Sequence, residues 1–302
     1  MTLEPDTFPN ITLESVLGTG GTATVYRARQ LSTGREVAVK VLSKDFIRTR
    51  EDVQRFFNEA KACARFQHQN IVRVYDSGEA RGIYYFVMEL VEGYTFAAYL
   101  HRKGHVEVDD ALIILEAVTN ALQYAWQRFR TVHCDLKPDN IMVDADGTIK
   151  LMDLGISRSL LTAARETADT AASEEIMGTP AYMSPDQIYD LPDLDCRSDI
   201  YSLGATLYHL LTGQILFPGR TDQQIVDAHI GPNFARDPRV LYPEIPRALV
   251  LMLNRMLAKD RALRYPNWET LAADIERLYA GDSLLATPLK PGESSVSFTS
   301  EW

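Results

Sequence analysis

The hydrophobic pattern of this chain changes period once, near residue 90, and that change limits the fold more than any composition figure. Before it, apolar residues come in short runs: Ile11–Leu17, Thr24–Gln30, Glu36–Leu42, Val72–Ser77 and Tyr84–Glu89. The runs are rich in Val, Ile and Tyr and separated by turn residues such as Thr33-Gly34 and Arg81-Gly82, which predicts strands. One helix is predicted among them, Glu51–Phe66, from Val53, Phe56, Phe57, Ala60 and Ala64 at helical spacing. After Gly93 the pattern turns helical, with candidates at Thr95–Lys103, Val108–Arg130, Ser198–Thr212, Thr221–His229, Pro246–Ala258 and Asn267–Ala280. A strand-rich part followed by a helix-rich part predicts an α+β protein with two lobes. The crossover Glu89-Leu90-Val91-Glu92-Gly93 would then act as a hinge, and the cleft beside it is a favoured place for a ligand.

Composition narrows the function classes. A formal charge of −10 argues against a general nucleic-acid binder and gives no attraction to anionic lipid. No apolar run approaches the roughly 18 residues needed to span a bilayer, and Met1-Thr2-Leu3-Glu4-Pro5-Asp6 lacks signal-peptide features. Cys63, Cys134 and Cys196 are scattered, in neither metal-ligand nor CxxC spacing, so reduced thiols in a cytoplasmic protein are expected. Residues 281–302 carry Pro, Ser, Thr and Gly with little periodicity and read as a loosely ordered, flexible tail.

Chemistry concentrates in His133-Cys134-Asp135-Leu136-Lys137-Pro138-Asp139-Asn140, followed by Asp153-Leu154-Gly155. Carboxylates, an amide and an ammonium at these spacings suit a magnesium-bound triphosphate beside a hydroxyl, because Asp and Asn offer the hard oxygens that Mg²⁺ prefers. Upstream, Gly18-Thr19-Gly20-Gly21-Thr22-Ala23-Thr24-Val25 joins two predicted strands. Glycine removes the Cβ that would keep backbone N–H groups from phosphates, and placement in a hairpin distinguishes this loop from a dinucleotide fingerprint, which opens a helix. Val37-Ala38-Val39-Lys40 puts a lysine on a strand, and Glu59 lies on the only early helix.

On these residues the chain resembles the eukaryotic-type (Hanks-type) protein kinase superfamily, in particular the Ser/Thr kinases found in bacteria, from about Leu13 to about Tyr279. The resemblance implies a bilobal domain over 11–280. Its small lobe, about 11–91, is an antiparallel sheet with one helix, and its large lobe, about 92–280, is mainly helical. It implies that Asp135 accepts or orients the proton of the attacking hydroxyl, that Lys137 offsets charge on the transferred phosphoryl, and that Asn140 and Asp153 hold Mg²⁺, with Mn²⁺ able to replace it. Lys40, paired with Glu59, would sit over the α and β phosphates of ATP. Glu51 and Asp52 are rivals to Glu59 by charge, but they fall in the first turn, where acids favour a helix N-terminus. Leu17, Gly18, Gly20, Gly21, Val25, Ala38, Met88 and Met142 would surround the nucleotide, with backbone groups of Glu89 and Val91 on the adenine edge.

Further positions follow from the same resemblance. His133 would be a structural ring, Asp199 would brace the catalytic loop backbone, and Leu154 would fill an apolar slot near Cys63 and Val74. Gly178–Asp186 would receive a substrate peptide, with Asp186 reaching a buried Arg264, and Lys137 with Thr179 favours Ser/Thr over Tyr acceptors. Cys134 stands where most family members carry an Arg that binds activation-loop phosphate, so phosphorylation there is not expected to be the main switch, although Thr170 is the expected autophosphorylation site. The expected activity is γ-phosphoryl transfer from Mg-ATP to Ser/Thr of protein substrates. No nucleic-acid partner and no membrane segment are expected, and similar kinases commonly dimerise through the small lobe. A nucleotide-binding pseudokinase scaffold is the alternative, but such proteins usually lose the equivalents of Lys40, Asp135 or Asp153. Small-molecule phosphotransferases lack the Gly178–Asp186 segment.

Overall fold

The computed structural model describes residues 3–20, 23–43, 49–154, 180–219 and 221–297, without the side chains of Glu51, Arg55 and Glu59. The five predicted early strands are present: β1 (Ile11–Thr19), β2 (Ala23–Gln30), β3 (Arg35–Leu42), β4 (Val74–Ala80) and β5 (Ile83–Glu89). They form one antiparallel sheet in the order β1-β2-β3-β5-β4. Successive side chains of a strand point to opposite faces, and here that alternation sorts two environments. Val37, Val39 and Val41 of β3 join Ile83, Tyr85 and Val87 of β5 in an outer core capped by Phe8, whose ring lies 4.2 Å from that of Tyr85. Ala38 and Lys40, with Phe86 and Met88, are consequently turned to the other face, toward the large lobe.

Helix α1 (Arg50–Cys63) crosses that inner face. Thr49 caps it: its hydroxyl accepts from the Asp52 N–H at 3.1 Å while the Asp52 carboxylate accepts from the Thr49 N–H at 2.9 Å. Phe56 of α1 packs on Phe86 at 4.7 Å between ring centroids. The helix ends three residues before the predicted Phe66, which turns away to stack edge-on against Phe129 at 5.1 Å.

The large lobe contains α2 (Phe96–Lys103), α3 (Val108–Phe129), α4 (Pro185–Ile188), α5 (Cys196–Thr212), α6 (Asp222–Ile230), α7 (Arg247–Met256) and α8 (Trp268–Ala280). All but the short α4 match predicted helices within two residues at each end. A second antiparallel sheet was not anticipated: β6 (Gly93–Thr95), β7 (Ile141–Asp144) and β8 (Ile149–Leu151). Strands of three or four residues give too little alternation to be read from sequence. Gly93 makes the sheet possible, since a Cβ there would lie 1.9 Å from the Val143 carbonyl oxygen.

Residues 281–297 differ from the loose tail expected. The Asp274 carboxylate accepts from the Leu285 and Ala286 N–H groups at 2.6 and 2.9 Å. Farther on, Ser294, Ser295 and Val296 are buried, and Ser295 exchanges backbone hydrogen bonds with Leu257 and Ala235. The segment docks through backbone pairing, small hydroxyls and the scattered apolar residues Leu284, Ala286 and Val296, which leave no hydrophobic period. No helix among the described residues is long and apolar enough to cross a membrane.

Candidate active site

The segment 133–140 is irregular backbone held from below. Asp199, fully buried in the first turn of α5, accepts from the His133 and Cys134 N–H groups at 2.6 and 2.9 Å. A helix N-terminus favours such an anion, and two charge-assisted bonds fix the loop to it. Cys134 sits at φ +66°, a conformation that non-glycine residues rarely adopt, and its carbonyl accepts from Gln187 at 2.7 Å. Thr206 of α5 donates to the Leu136 carbonyl at 3.3 Å. Gln187 and Thr206 were missed at the sequence level, although Ser184-Pro185-Asp186-Gln187 has the S-x-x-Q form of a capping box, which the structure contains.

His133 is the buried structural ring expected. Its Nδ1 accepts from the Asp135 N–H at 3.2 Å, so the proton resides on Nε2, which donates to the Met152 carbonyl at 2.8 Å. This bond ties the loop to the residue before Asp153. The Asp135 carboxylate is oriented on both oxygens: Lys137 Nζ lies 3.0 and 2.9 Å from Oδ1 and Oδ2, and Asn140 Nδ2 donates to Oδ2 at 3.0 Å. Asn140 Nδ2 also donates to the Asp135 carbonyl at 2.8 Å, which commits the amide nitrogen and leaves the amide oxygen for another partner.

Lys40 and Asp153 meet across the cleft with Nζ 2.7 Å from Oδ2, both largely buried. Burial would raise the Asp153 carboxyl, but the adjacent Lys40 ammonium and its hydrogen bond outweigh that and hold it below the usual carboxylate range. Asp153 itself adopts φ +57°. The Glu59 side chain, expected to pair with Lys40, lies outside the described residues; the contact seen for Lys40 is Asp153. Of the two charge rivals, Asp52 is accounted for in the helix cap, and the Glu51 side chain lies outside the described residues.

Ala38, Val72 and Met88 form an apolar cluster with Val25, Leu90, Val91 and Met152 packed on it. Val25, Ala38 and Met88 were expected as pocket walls and Val91 only for its backbone, whereas Val72, Leu90 and Met152 were not expected there. Met142 is half-buried on β7, paired with Thr95 and Lys150, and Leu17 is exposed on β1. Gly18 and Gly20 lie at the hairpin, and a Cβ at Gly18 would meet nothing within 4 Å. Its glycine is therefore not demanded by the protein's own packing, as suits a loop that makes room for a bound group. Gly21 lies outside the described residues, as do Gly178, Thr179 and Thr170. The Glu89 side chain turns away from the cluster to Lys150, 2.6 Å distant. Behind Met88, Leu154 lines a narrow pocket with Cys63 and Val74, and Cys63 Sγ donates to the Leu154 carbonyl at 3.2 Å.

The Asp186–Arg264 pair is also present, 2.6 Å apart and buried. Arg264 further donates to the carbonyls of Ala258, Arg197 and Lys259. Tyr182 is fixed by a 2.7 Å hydrogen bond with His209 Nδ1, and burial raises the tyrosine and lowers the histidine.

An apolar slot at a hinge, an ammonium–carboxylate pair and a doubly oriented second carboxylate together suit binding of a polyphosphate next to a hydroxyl. Comparison with known proteins agrees. The family model for the protein kinase domain matches residues 11–274. The chain is 37% identical over 269 residues to the serine/threonine-protein kinase PrkC of Bacillus subtilis, covering 89% of this chain and 40% of that protein. It is 35% identical over 274 residues to serine/threonine-protein kinase PknB of Mycobacterium tuberculosis, covering 89% of this chain and 43% of that protein. It thus spans about two fifths of the length of these curated relatives. Among solved structures, the kinase domain of M. tuberculosis PknI superposes with a TM-score of 0.72 at 28% identity, over 93% of this chain and all of that one. The chain belongs to the protein kinase domain family, among relatives that are bacterial Ser/Thr kinases.

Proposed function

We propose that this chain is a catalytic domain that transfers the γ-phosphoryl group of ATP to Ser and Thr hydroxyls of proteins. The observation that carries the reading is the Asp135 carboxylate, held on both oxygens by Lys137 and Asn140 in the same cleft as the Lys40–Asp153 pair. Phosphoryl transfer asks little covalent chemistry of a protein, only positioning and charge neutralisation. Asp135 orients the acceptor hydroxyl and takes its proton, and Lys137 offsets the charge of the transferred group. Lys40 holds the nucleotide phosphates, beneath a loop containing Gly18, Gly20 and Gly21. Leu17, Val25, Ala38, Met88 and Met142 enclose the base, whose edge meets backbone groups of Glu89 and Val91. Glu59 completes the Lys40 environment.

A divalent ion fits the donor set. The Asp153 carboxylate stays ionised at neutral pH, and the uncommitted Asn140 amide oxygen is a second hard ligand. Among the described residues no group of three His, Cys, Asp or Glu could hold a metal. Two protein ligands suit Mg²⁺, which keeps waters and takes substrate phosphate oxygens rather than needing a protein cage. When bound, the ion would neutralise phosphate charge.

Cys134 supports a further element of the proposal. Its backbone is committed to Asp199 and Gln187, and its thiol cannot supply the fork of donors an Arg gives to loop phosphate. Loop phosphorylation, with Thr170 as the site, then modulates activity without being its main switch. Association of two small lobes belongs to the proposal on family grounds. A radiometric assay of the wild type and Asp135→Asn with a Ser/Thr peptide library tests the core reading. The variant should lose about 10²–10⁴-fold in kcat. Equal label incorporation by both proteins would refute the assignment.

A further inference from the structure

In a chain of net charge −10, the side of the hinge away from the apolar cluster gathers donors and positive charge around a cavity of about 430 Å³. That size falls within the usual range of small-molecule sites, roughly 300–1,000 Å³. Its lining comes from four separate places: Gln67, His68, Gln69 and the apolar Ile71 after α1, Arg73 and Tyr75 on or beside β4, Glu89 at the end of β5, and Lys150 on β8. Strand alternation explains the location, because Met88 enters the nucleotide cluster and the next residue, Glu89, must face the opposite way.

The frame is rigid. Asn70 donates to the Ile149 carbonyl at 2.8 Å, the Leu151 N–H to the Asn70 carbonyl at 2.8 Å, and the Glu89 N–H to the Arg73 carbonyl at 2.8 Å. The Asn70 N–H donates to His68 Nδ1 at 3.1 Å, so the neutral ring carries its proton on Nε2 and is a donor there. The one acid in the lining is already neutralised: the Glu89 carboxylate lies 2.6 Å from Lys150 Nζ and accepts from the Arg73 N–H at 3.1 Å. No carboxylate among the described residues pairs with the Arg73 guanidinium. The cavity therefore holds a net positive charge, two amides, a histidine N–H and a planar fork of donors.

We propose that this cavity binds a small phosphate-bearing anion, a second ligand site distinct from the nucleotide cleft. A guanidinium matches phosphate oxygens two at a time, and the surrounding amides and Lys150 supply the remaining hydrogen bonds. The ligand bridges small-lobe strands to β8 of the large lobe. It competes with Glu89 for Lys150, which couples the site to the hinge. The inference does not require the catalytic reading above.

Titration of ¹⁵N-labelled protein with inorganic pyrophosphate tests it, because the amides that shift report where the probe binds. Saturable shifts are expected at residues 67–75 and 149–151, and Arg73→Gln, an exposed position, should weaken binding at least tenfold. Lys150→Met should do the same; if that variant does not fold, the Arg73 result decides. Shifts confined to the glycine loop, residues 135–140 and Asp153, no saturable binding, or an unchanged dissociation constant in Arg73→Gln would each overturn the proposal. A phosphoserine peptide binding there tenfold more tightly than pyrophosphate would overturn the assignment to a small molecule.

Discussion

Lys40 and Asp135 face the same cleft but are aimed there by different means. Lys40 stands on β3, where the pleat fixes direction: Val39 and Val41 on either side go to the outer core, so the ammonium must go inward. Asp135 stands on backbone with no ladder. Its direction comes from side chains that grip the loop: Asp199 on two N–H groups, Gln187 and Thr206 on two carbonyls, His133 on Met152. The loop contains Cys134 at positive φ, and Asp153 farther on shares that conformation. Such residues persist only where the surroundings over-determine them. The sheet thus aims a side chain through many small, replaceable contacts, and the loop aims one through a few buried polar bonds that nothing else can supply.

The comparison predicts unequal consequences of damage. Asp199→Ala should have the largest effect, since two buried N–H groups lose their acceptor at about 1–3 kcal/mol each. Chemical denaturation should show a loss of roughly 2–6 kcal/mol, and the variant that still folds should transfer phosphoryl groups poorly. Val39→Ala removes a buried side chain from the sheet and should cost about 1.5–3 kcal/mol in the same measurement, with kcat of the folded fraction unchanged. A drop in kcat for Val39→Ala, or none for Asp199→Ala, would erase the distinction. The smallest effect is expected from phosphatase treatment, with complete dephosphorylation checked by mass spectrometry. The rate should fall by less than about tenfold if Cys134 cannot read a loop phosphate. A hundredfold fall would show that another group reads it.

The same contrast explains what could be read from residues alone. The strands of the small lobe and the seven longer helices announce themselves by period, whereas Lys40 stood out only through the resemblance carried by Val37-Ala38-Val39-Lys40. The segment 133–140 was legible as a set of residue types; Gln187 left only its local capping-box pattern and Thr206 none, because a bond to a distant carbonyl has no local signature. Glu89 was anticipated only for its backbone; its carboxylate on Lys150 joins residues 61 apart. The docking of Ser294–Val296 was invisible for the same reason, since one parallel bridge to Ala235 and one antiparallel bridge to Ala258 need no apolar periodicity.

In the proposed function, Asp153 and Asn140 are the oxygen ligands of a metal that travels with a nucleotide. Calorimetric titration of ATP into the wild type and Asp153→Asn, each with and without Mg²⁺, addresses this directly. Wild-type binding should strengthen at least tenfold with Mg²⁺, and the variant should lose that dependence. Nucleotide binding indifferent to Mg²⁺, or a variant that keeps the full Mg²⁺ response, would contradict it.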